Sequence, residues 1–259
     1  MIKAILLDLD DTLLYNNMQD FLPRYFGLLA EFAASSALAP AQGHLDMVQE
    51  LLICTREVMA NNDPLLTNRE VFWAAFSRRT GLSWERTEAF FARFYQERFG
   101  QLQAVTRPVP LAPELVQWCQ GQGWRVVIAT NPLFPTTAIE QRLAWAGLPV
   151  AAYQFDLVTT FDNMHATKPQ AAYYQEIFSR IGCAPEEAIM VGDDWGNDIT
   201  PAAALGCHTY WITPDDAVLP PQPDVATGYG TLGQLYTALR QGWLATRRAE
   251  PFFPLPGAV

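Results

Sequence analysis

Acidic residues gather at the end of the first apolar run of the chain. The run Ile2–Leu9 indicates a buried strand, and Asp8, Asp10 and Asp11 stand at its carboxyl end. Asp8 and Asp10 are two residues apart, so a strand places both side chains on one side. Several carboxylates in one place are costly without a cation or a shared proton. The spacing therefore indicates a cation-binding or acid–base site.

A second acidic segment has the same character. Val191-Gly192-Asp193-Asp194 ends a later apolar run, and Asp198 opens the helix that follows. Carboxyl ends of parallel strands meet at one edge of a sheet, where ligands bind. Any one of these aspartates alone is more simply explained as a helix cap. Together they favour a cage for a hard divalent cation, most simply Mg²⁺.

Two further strand ends carry groups suited to an anion. The run Arg125–Ala129 leads into Thr130 and Asn131, whose hydroxyl and backbone N–H could hold an anionic oxygen, although Thr-Asn-Pro is also ordinary turn chemistry. Lys168 follows a later strand by a loop. A lysine before proline is usually a solvated surface residue. Beside several carboxylates and a metal, however, it could neutralise a phosphoryl group as a compact charge.

The elements that must position these residues change in character along the chain. Residues 18–100 show helical spacing almost throughout, whereas after residue 107 helices and strands alternate. Such alternation predicts a parallel sheet covered by helices on both faces. The predicted strands are Ile2–Leu9, Arg125–Ala129, Phe155–Thr159, Ala188–Val191 and His208–Ile212. The predicted helices of the alternating part are Pro113–Gln122, Thr136–Ala146, Gln170–Ile181, Ile199–Leu205 and Leu232–Leu239.

Composition narrows the class of protein. The chain has 259 residues, with 27 Asp or Glu against 17 Lys or Arg, and a formal net charge of −10. This acidity disfavours a nucleic-acid polymer or an anionic membrane as partner. We expect neither a membrane span nor a leader sequence. Four scattered cysteines indicate buried thiols and a cytoplasmic location, and three histidines are too few for a His-rich metal site.

The motifs, in this order, resemble the haloacid dehalogenase-like (HAD) superfamily. The matching segments are Asp8-Leu9-Asp10-Asp11-Thr12-Leu13, Thr130 after an apolar strand, Lys168-Pro169, and Gly192-Asp193-Asp194-Trp195-Gly196-Asn197-Asp198. The resemblance covers residues 1–15 and 107–212. It implies a discontinuous Rossmann-like α/β core over residues 1–15 and 107–245 and an α-helical cap over residues 16–106. Residues 246–259 are expected to form an irregular tail.

The resemblance also implies a mechanism. Asp8 would attack phosphorus and form an aspartyl-phosphate, and Asp10 would serve as general acid and then base. Mg²⁺ would be held by the Asp8 carboxylate, the Asp10 backbone carbonyl and the Asp193 carboxylate. Thr130 and the Asn131 N–H would bind phosphoryl oxygens together with Lys168. Asp198, with Asp194, would hold metal-bound waters or orient Lys168.

The residues also separate branches of this superfamily. Asp10 favours phosphate-ester hydrolysis over dehalogenation, because halide removal needs no acid for the leaving group. A Schiff-base phosphonate-cleaving member needs a lysine in the cap, and none lies between Lys3 and Lys168. We therefore expect a phosphatase acting on a small phosphorylated metabolite. A phosphomutase, or a non-enzymatic binding or regulatory protein on the same scaffold, stays open as an alternative.

The expected cap gives weaker signals. Its arginines are more simply explained as a solvated face than as a grip on substrate. Aromatic residues at helical spacing predict the interior of the cap rather than a stacking platform. These residues are Phe90, Phe91, Phe94, Tyr95 and Phe99.

Overall fold

A computed structural model describes residues 1–36, 46–214, 218–222 and 224–245. Six of its strands form one parallel sheet in the order β5-β4-β1-β6-β7-β8, and two more form a short antiparallel pair. The strands are β1 (Ala4–Leu7), β2 (Leu14–Tyr15), β3 (Arg107–Pro108), β4 (Arg125–Ile128), β5 (Leu157–Val158), β6 (Ala188–Gly192), β7 (His208–Ile212) and β8 (Gly228–Gly230).

Nine α-helices are described. They are α1 (Met18–Ala34), α2 (Met47–Ala60), α3 (Asn68–Thr80), α4 (Trp84–Glu97), α5 (Ala112–Gly121), α6 (Thr136–Trp145), α7 (Ala171–Ile181), α8 (Thr200–Ala204) and α9 (Leu232–Arg240). A 3-10 helix spans Phe99–Val105, a second spans Pro185–Glu187, and one π-helical turn spans Trp195–Ile199. None of the described helices is both long enough and apolar enough to cross a bilayer.

The sheet is covered on both faces, which explains its nearly continuous apolar strands. All four residues of β1 are buried, and alternate residues belong to different cores. Ile5 and Leu7 share a core with helices α5, α6 and α9, whereas Ala4 and Leu6 share one with α7 and α8. Burial on both faces favours runs of Val, Ile and Leu over alternation. The predicted α/β fold is confirmed.

Strand register brings the motifs together. In β1, Leu7 lies opposite Ile128 of β4 on one side and Val191 of β6 on the other. The ladder continues past Leu7, because the Asp8 N–H donates to the Val191 carbonyl at 2.9 Å. The residues that follow these three central strands therefore leave the sheet side by side at its carboxyl edge.

The segment Met18–Val105, called here the helical block, has an aromatic core of its own. Capping residues fix the ends of α3 in this block. Thr67 forms a capping box with Glu70 at its start, and Gly81, with φ of 70°, ends it. The same core includes Phe161 and Ala138 from the alternating part of the chain, so the block packs directly on it. The division of the chain into a core and a separate cap domain over residues 16–106 stays a prediction.

Some predicted elements differ from the structure. The predicted strand Phe155–Thr159 shortens to Leu157–Val158, at the sheet edge, where it pairs with β4 alone. The β2–β3 pair and β8 were not predicted, because two-residue strands and a Gly-Tyr-Gly strand carry no apolar pattern. The expected tail over residues 246–259 lies outside the described residues.

Candidate active site

One cavity of about 290 Å³ opens at the carboxyl edge of β1, β4 and β6. All eight site residues predicted from the sequence line this cavity, which is called here the aspartate cavity. They are Asp8, Asp10, Thr130, Asn131, Lys168, Asp193, Asp194 and Asp198. Asp11, Met18, Leu22, Leu133, Phe134, Arg142 and Asn197 complete its walls.

Lys168 lies at the centre of the charged groups. Its Nζ donates to Asp8 Oδ1 at 2.7 Å and to Asp198 Oδ1 at 2.6 Å, and the lysine is 3% exposed. Burial disfavours the ammonium charge, but the Asp198 and Asp8 carboxylates outweigh it and raise the pKa of Lys168 well above its ordinary value. The lysine is therefore a fixed positive charge directly against Asp8.

The carboxylates outnumber the cations beside them. Burial raises the pKa of Asp8 well above its ordinary value; Lys168 opposes this, and Asp198 and Asp193 add to it. Burial, with Asp198 and Asp11, raises the pKa of Asp193 to about 7. One lysine thus does not stabilise all three carboxylates in the ionised state. The cluster has the electrostatic character of a site that takes up a further cation.

The geometry of these acids also suits a cation. Asp8, Asp193 and Asp198 each offer a carboxylate oxygen, and these oxygens lie within 4.8 Å of one another. Oxygen-only donors of this charge are what Mg²⁺ prefers. The residues present therefore fit the predicted metal.

Gly192 is required for the approach of Asp198 to the strand end. A Cβ at residue 192 would lie 2.1 Å from Asp198 Oδ2, so any other residue would clash with that carboxylate. The π-helical turn brings Asp198 back toward the strand, where its Oδ2 accepts from the Asp194 N–H at 3.1 Å. The space needed by the Asp198 carboxylate therefore explains why residue 192 is a glycine.

The turn after β1 fixes the second acid of the first motif. Asp11 adopts a left-handed conformation with φ of 54°, which aspartate tolerates better than most residues. Its Oδ1 accepts from the Asn16 N–H at 2.9 Å, while Asn16 Nδ2 donates to Asp10 Oδ1 at 2.7 Å. The turn then enters the helical block through β2. Asn16 thus orients the Asp10 carboxylate, a contact that the sequence did not predict.

Arg142 holds the other oxygen of Asp10 and was not predicted at all. Its Nη1 donates to Asp10 Oδ2 at 2.7 Å, and its guanidinium carbon lies 4.7 Å from the centre of the Phe134 ring. The side chain is 1% exposed, and within the described part of the chain its Nε and Nη2 have no hydrogen-bond partner. The sequence signal for its burial is its position on the apolar face of α6, three residues after Ile139 and next to Leu143.

Thr130 and Asn131 border Asp8 from the end of β4. Thr130 is buried, and its carbonyl accepts from Thr159 Oγ1 at 2.7 Å and from the Tyr173 hydroxyl at 2.9 Å. Asn131 Oδ1 accepts from the Lys168 N–H at 3.3 Å. These bonds tie the turn after β4 to the loop that carries Lys168.

Asp194 makes mainly local contacts. Its Oδ1 accepts from the N–H groups of Gly196 and Asn197, both at 2.9 Å, and its Oδ2 accepts from Asn197 Nδ2 at 2.7 Å. It therefore caps the π-helical turn. A supporting role for Asp194 at a metal stays a prediction.

Comparisons with known proteins agree with this geometry. A family model described as haloacid dehalogenase-like hydrolase matches residues 2–206. The glyceraldehyde 3-phosphate phosphatase of Methanothermobacter thermautotrophicus is 29% identical over 103 residues, which are 40% of this chain and 43% of that protein. The phosphoserine phosphatase of Thermus thermophilus is 26% identical over 255 residues, which cover 86% of this chain and 93% of that protein.

A solved structure shares the fold. The 2-haloacid dehalogenase of Pseudomonas syringae superposes with a TM-score of 0.61 at 18% identity, covering 93% of this chain and 99% of that one. Identity this low shows the fold alone. The share of each relative that this chain matches varies. The match spans less than half of the glyceraldehyde 3-phosphate phosphatase, 43% of its length.

Proposed function

The chain belongs to the haloacid dehalogenase-like hydrolase family, and from that premise we propose that it is a Mg²⁺-dependent phosphatase that hydrolyses a small phosphomonoester through an aspartyl-phosphate on Asp8. One observation carries the proposal: Asp8, Asp10 and Lys168 line one cavity, with Lys168 Nζ 2.7 Å from Asp8 Oδ1. A binding protein on this scaffold has no physical need for a second acid beside the nucleophile. The alignment with the Thermus phosphoserine phosphatase over 86% of this chain also supports a phosphatase.

Asp8 acts as the nucleophile. A carboxylate oxygen of Asp8 forms a bond to phosphorus while the bond from phosphorus to the ester oxygen breaks. Attack requires the ionised carboxylate, and burial alone disfavours that state, since it raises the pKa of Asp8. The Lys168 ammonium offsets part of this cost.

Asp10 transfers the protons. It protonates the leaving oxygen in the first step and takes a proton from the water that hydrolyses the aspartyl-phosphate in the second. Arg142 and Asn16 each bind one of its oxygens, at 2.7 Å in both cases, and so fix the plane of the carboxyl group. This pre-set orientation reduces the cost of reaching the transition state.

The Asp8 carboxylate, the Asp10 backbone carbonyl and the Asp193 carboxylate would hold Mg²⁺. When bound, the ion supplies positive charge to the nucleophile and to the transferring phosphoryl group. Asp198 Oδ1 also accepts from Lys168 Nζ, at 2.6 Å, and so keeps the lysine in place. Thr130, the Asn131 N–H and Lys168 bind the remaining phosphoryl oxygens, and donors fixed in advance in this way stabilise the transition state.

The state of the four cysteines bears on the cellular compartment in which the protein works. Cys54, Cys119, Cys183 and Cys207 are all buried free thiols. Unpaired thiols suit a reducing compartment. The proposal accordingly places the enzyme in the cytoplasm, with a small metabolite as its substrate.

Phosphate release from a panel of phosphomonoesters, with and without Mg²⁺, tests the proposal. Wild type should release phosphate from some esters with Mg²⁺ present, and Asp8→Asn should release none. Asp63→Asn, an exposed loop substitution outside the aspartate cavity, should behave as wild type. A folded wild type that releases no phosphate from any ester would contradict the proposal. A long-lived phosphoenzyme without free phosphate would instead support a phosphomutase.

A further inference from the structure

A second cavity of about 330 Å³ lies between the helical block and the sheet layer. Its size is within the range of small-molecule sites. Rings and aliphatic side chains dominate its walls, and it is called here the apolar cavity. The apolar side chains of these walls include Leu22, Leu51, Phe91, Leu133, Phe134 and Phe161.

The apolar cavity adjoins the aspartate cavity. Leu22, Leu133 and Phe134 line both of them. Phe134 also contacts Arg142, which in turn holds Asp10 at 2.7 Å. The leaving oxygen of a substrate must lie beside Asp10 to receive its proton. Because Phe134 lines both cavities, a leaving group that extends from that oxygen past Phe134 would reach the apolar cavity.

The charged side chains and the two tyrosine hydroxyls of these walls are already bonded to one another, whereas the buried Trp73 Nε1 has no hydrogen-bond partner among the described residues. Arg69 pairs with Glu88 and with Asp162, the latter at 3.7 Å, and these are the charged residues among the described walls. The Tyr25 and Tyr95 hydroxyls bond to each other at 2.9 Å. A polar leaving group would lose its hydrogen bonds to water and find few replacements, whereas an apolar one would lose none.

From this we propose that the apolar cavity binds the leaving group of the substrate and that this group carries an aromatic ring or a comparable apolar body. The inference rests on the proposed phosphatase function. It predicts an aryl or arylalkyl phosphomonoester as the substrate class, in preference to phosphates of small polyols or hydroxy acids. Burial of one ring of this size corresponds to a preference of about tenfold or more.

A matched substrate pair tests the preference. Ethyl phosphate and 2-phenylethyl phosphate are both alkyl esters, so their leaving alcohols have similar reactivity and differ by one ring. Wild type with Mg²⁺ should give a kcat/KM about tenfold or more higher for 2-phenylethyl phosphate. Equal values, or a higher value for glycerol phosphate, would overturn the inference.

Filling the cavity should remove the preference. Leu51→Trp places a ring in the cavity and should abolish the advantage of 2-phenylethyl phosphate, with ethyl phosphate changed less than about twofold. Met59→Trp adds the same ring to α2 at an exposed residue outside the walls and should change neither substrate. If Leu51→Trp does not fold, Leu52→Trp is used instead, because Leu52 also lines the cavity and is 37% exposed. Equal losses on both substrates would contradict the assignment.

Binding of non-hydrolysable analogues separates this inference from the proposed function. We would titrate wild type and Leu51→Trp with ethylphosphonate and (2-phenylethyl)phosphonate by calorimetry in the presence of Mg²⁺. Tighter binding of the phenyl compound by wild type alone supports the cavity assignment even where no ester is hydrolysed. Hydrolysis of esters without that difference in binding refutes the cavity assignment and leaves the phosphatase proposal standing.

Discussion

The two neighbouring cavities are built in opposite ways. The aspartate cavity takes its polar and charged groups from short segments at the ends of β1, β4 and β6, from the loop that carries Lys168, and from Arg142 of α6. The apolar cavity takes its walls from all four helices of the helical block and from the segments around Phe134 and Phe161. The chemistry thus depends on a few residues fixed by strand register, whereas the shape of the second cavity depends on the packing of four helices and two further segments.

The two regions should therefore respond differently to substitution. In the aspartate cavity Lys168 pairs with Asp8 and Asp198, and Arg142 pairs with Asp10, so loss of one of these groups leaves a buried charge without its partner. In the helical block an aromatic residue contributes contact area, and its loss should lower stability before it affects the chemistry.

Loss of Lys168 should have the largest effect on activity. Lys168→Met removes the ammonium that pairs with Asp8 and Asp198, and we expect phosphate release to fall about a thousandfold. The other lysine provides the control: Lys3 is 62% exposed and pairs with Glu187, so Lys3→Met should keep full activity. Steady-state kinetics on the best ester of the panel measures both, and similar rates for the two variants would refute the role of Lys168.

An aromatic residue of the helical block should show the reverse pattern. Phe94 is fully buried, with ring centres 5.7 Å from both Tyr25 and Phe32, and it does not line the apolar cavity. Phe94→Ala should lower the free energy of unfolding by about 3 kcal/mol, because it leaves a cavity. Urea unfolding measures this, with Leu65→Ala, at an 83% exposed residue, as the control near zero. The kcat of the folded variant should change little. A large fall in kcat with unchanged stability would break the contrast.

Arg142 belongs to the aspartate cavity but acts through Asp10, so its effect should be intermediate. Arg142→Lys keeps a charge and loses the planar contact with Phe134 and the fixed geometry toward Asp10. We expect kcat to fall about tenfold with KM nearly unchanged. A raised KM at constant kcat would show instead that Arg142 binds the substrate. Arg93→Lys, at an exposed helix arginine paired with Glu97, should leave both parameters as in wild type.

The effect of Mg²⁺ on thermal stability should be the smallest of these effects and should depend on pH. Burial raises the pKa of Asp193 from 3.8 in a free side chain to about 7, so without a cation the folded chain loses stability as pH rises between these values. Mg²⁺ competes with protons for the carboxylates. The rise in Tm on adding Mg²⁺ should therefore be larger at pH 8 than at pH 5.5. Asp193→Asn should remove most of that difference, and an equal rise at both pH values would contradict it.

The contrast also explains how far the sequence could predict the molecule. Asp8, Thr130 and Asp193 each follow an apolar run, so the rules of parallel sheets were sufficient to bring them to one edge. The fold predicted from that alternation is confirmed. The site roles of these residues stay predictions, although the structure gathers all of them around one cavity.

The residues that sequence reasoning missed lack such a local signal. Arg142 lies within a helix, where an arginine is usually solvated, and only its place among Ile139 and Leu143 marks it as buried. Asn16 acts through a turn whose geometry depends on the left-handed Asp11. The apolar cavity has no local pattern, since its walls come together only when four helices pack on the sheet.

Direct detection of the phosphorylated residue tests the central claim best. Wild type and Asp8→Asn would be mixed with Mg²⁺ and the best ester, quenched in acid within the first turnover, and analysed by intact and peptide mass spectrometry. The proposed mechanism predicts one phosphoryl group on wild type, located at Asp8, and none on Asp8→Asn. Continued phosphate release by Asp8→Asn, or a phosphoryl group on another residue, would contradict it.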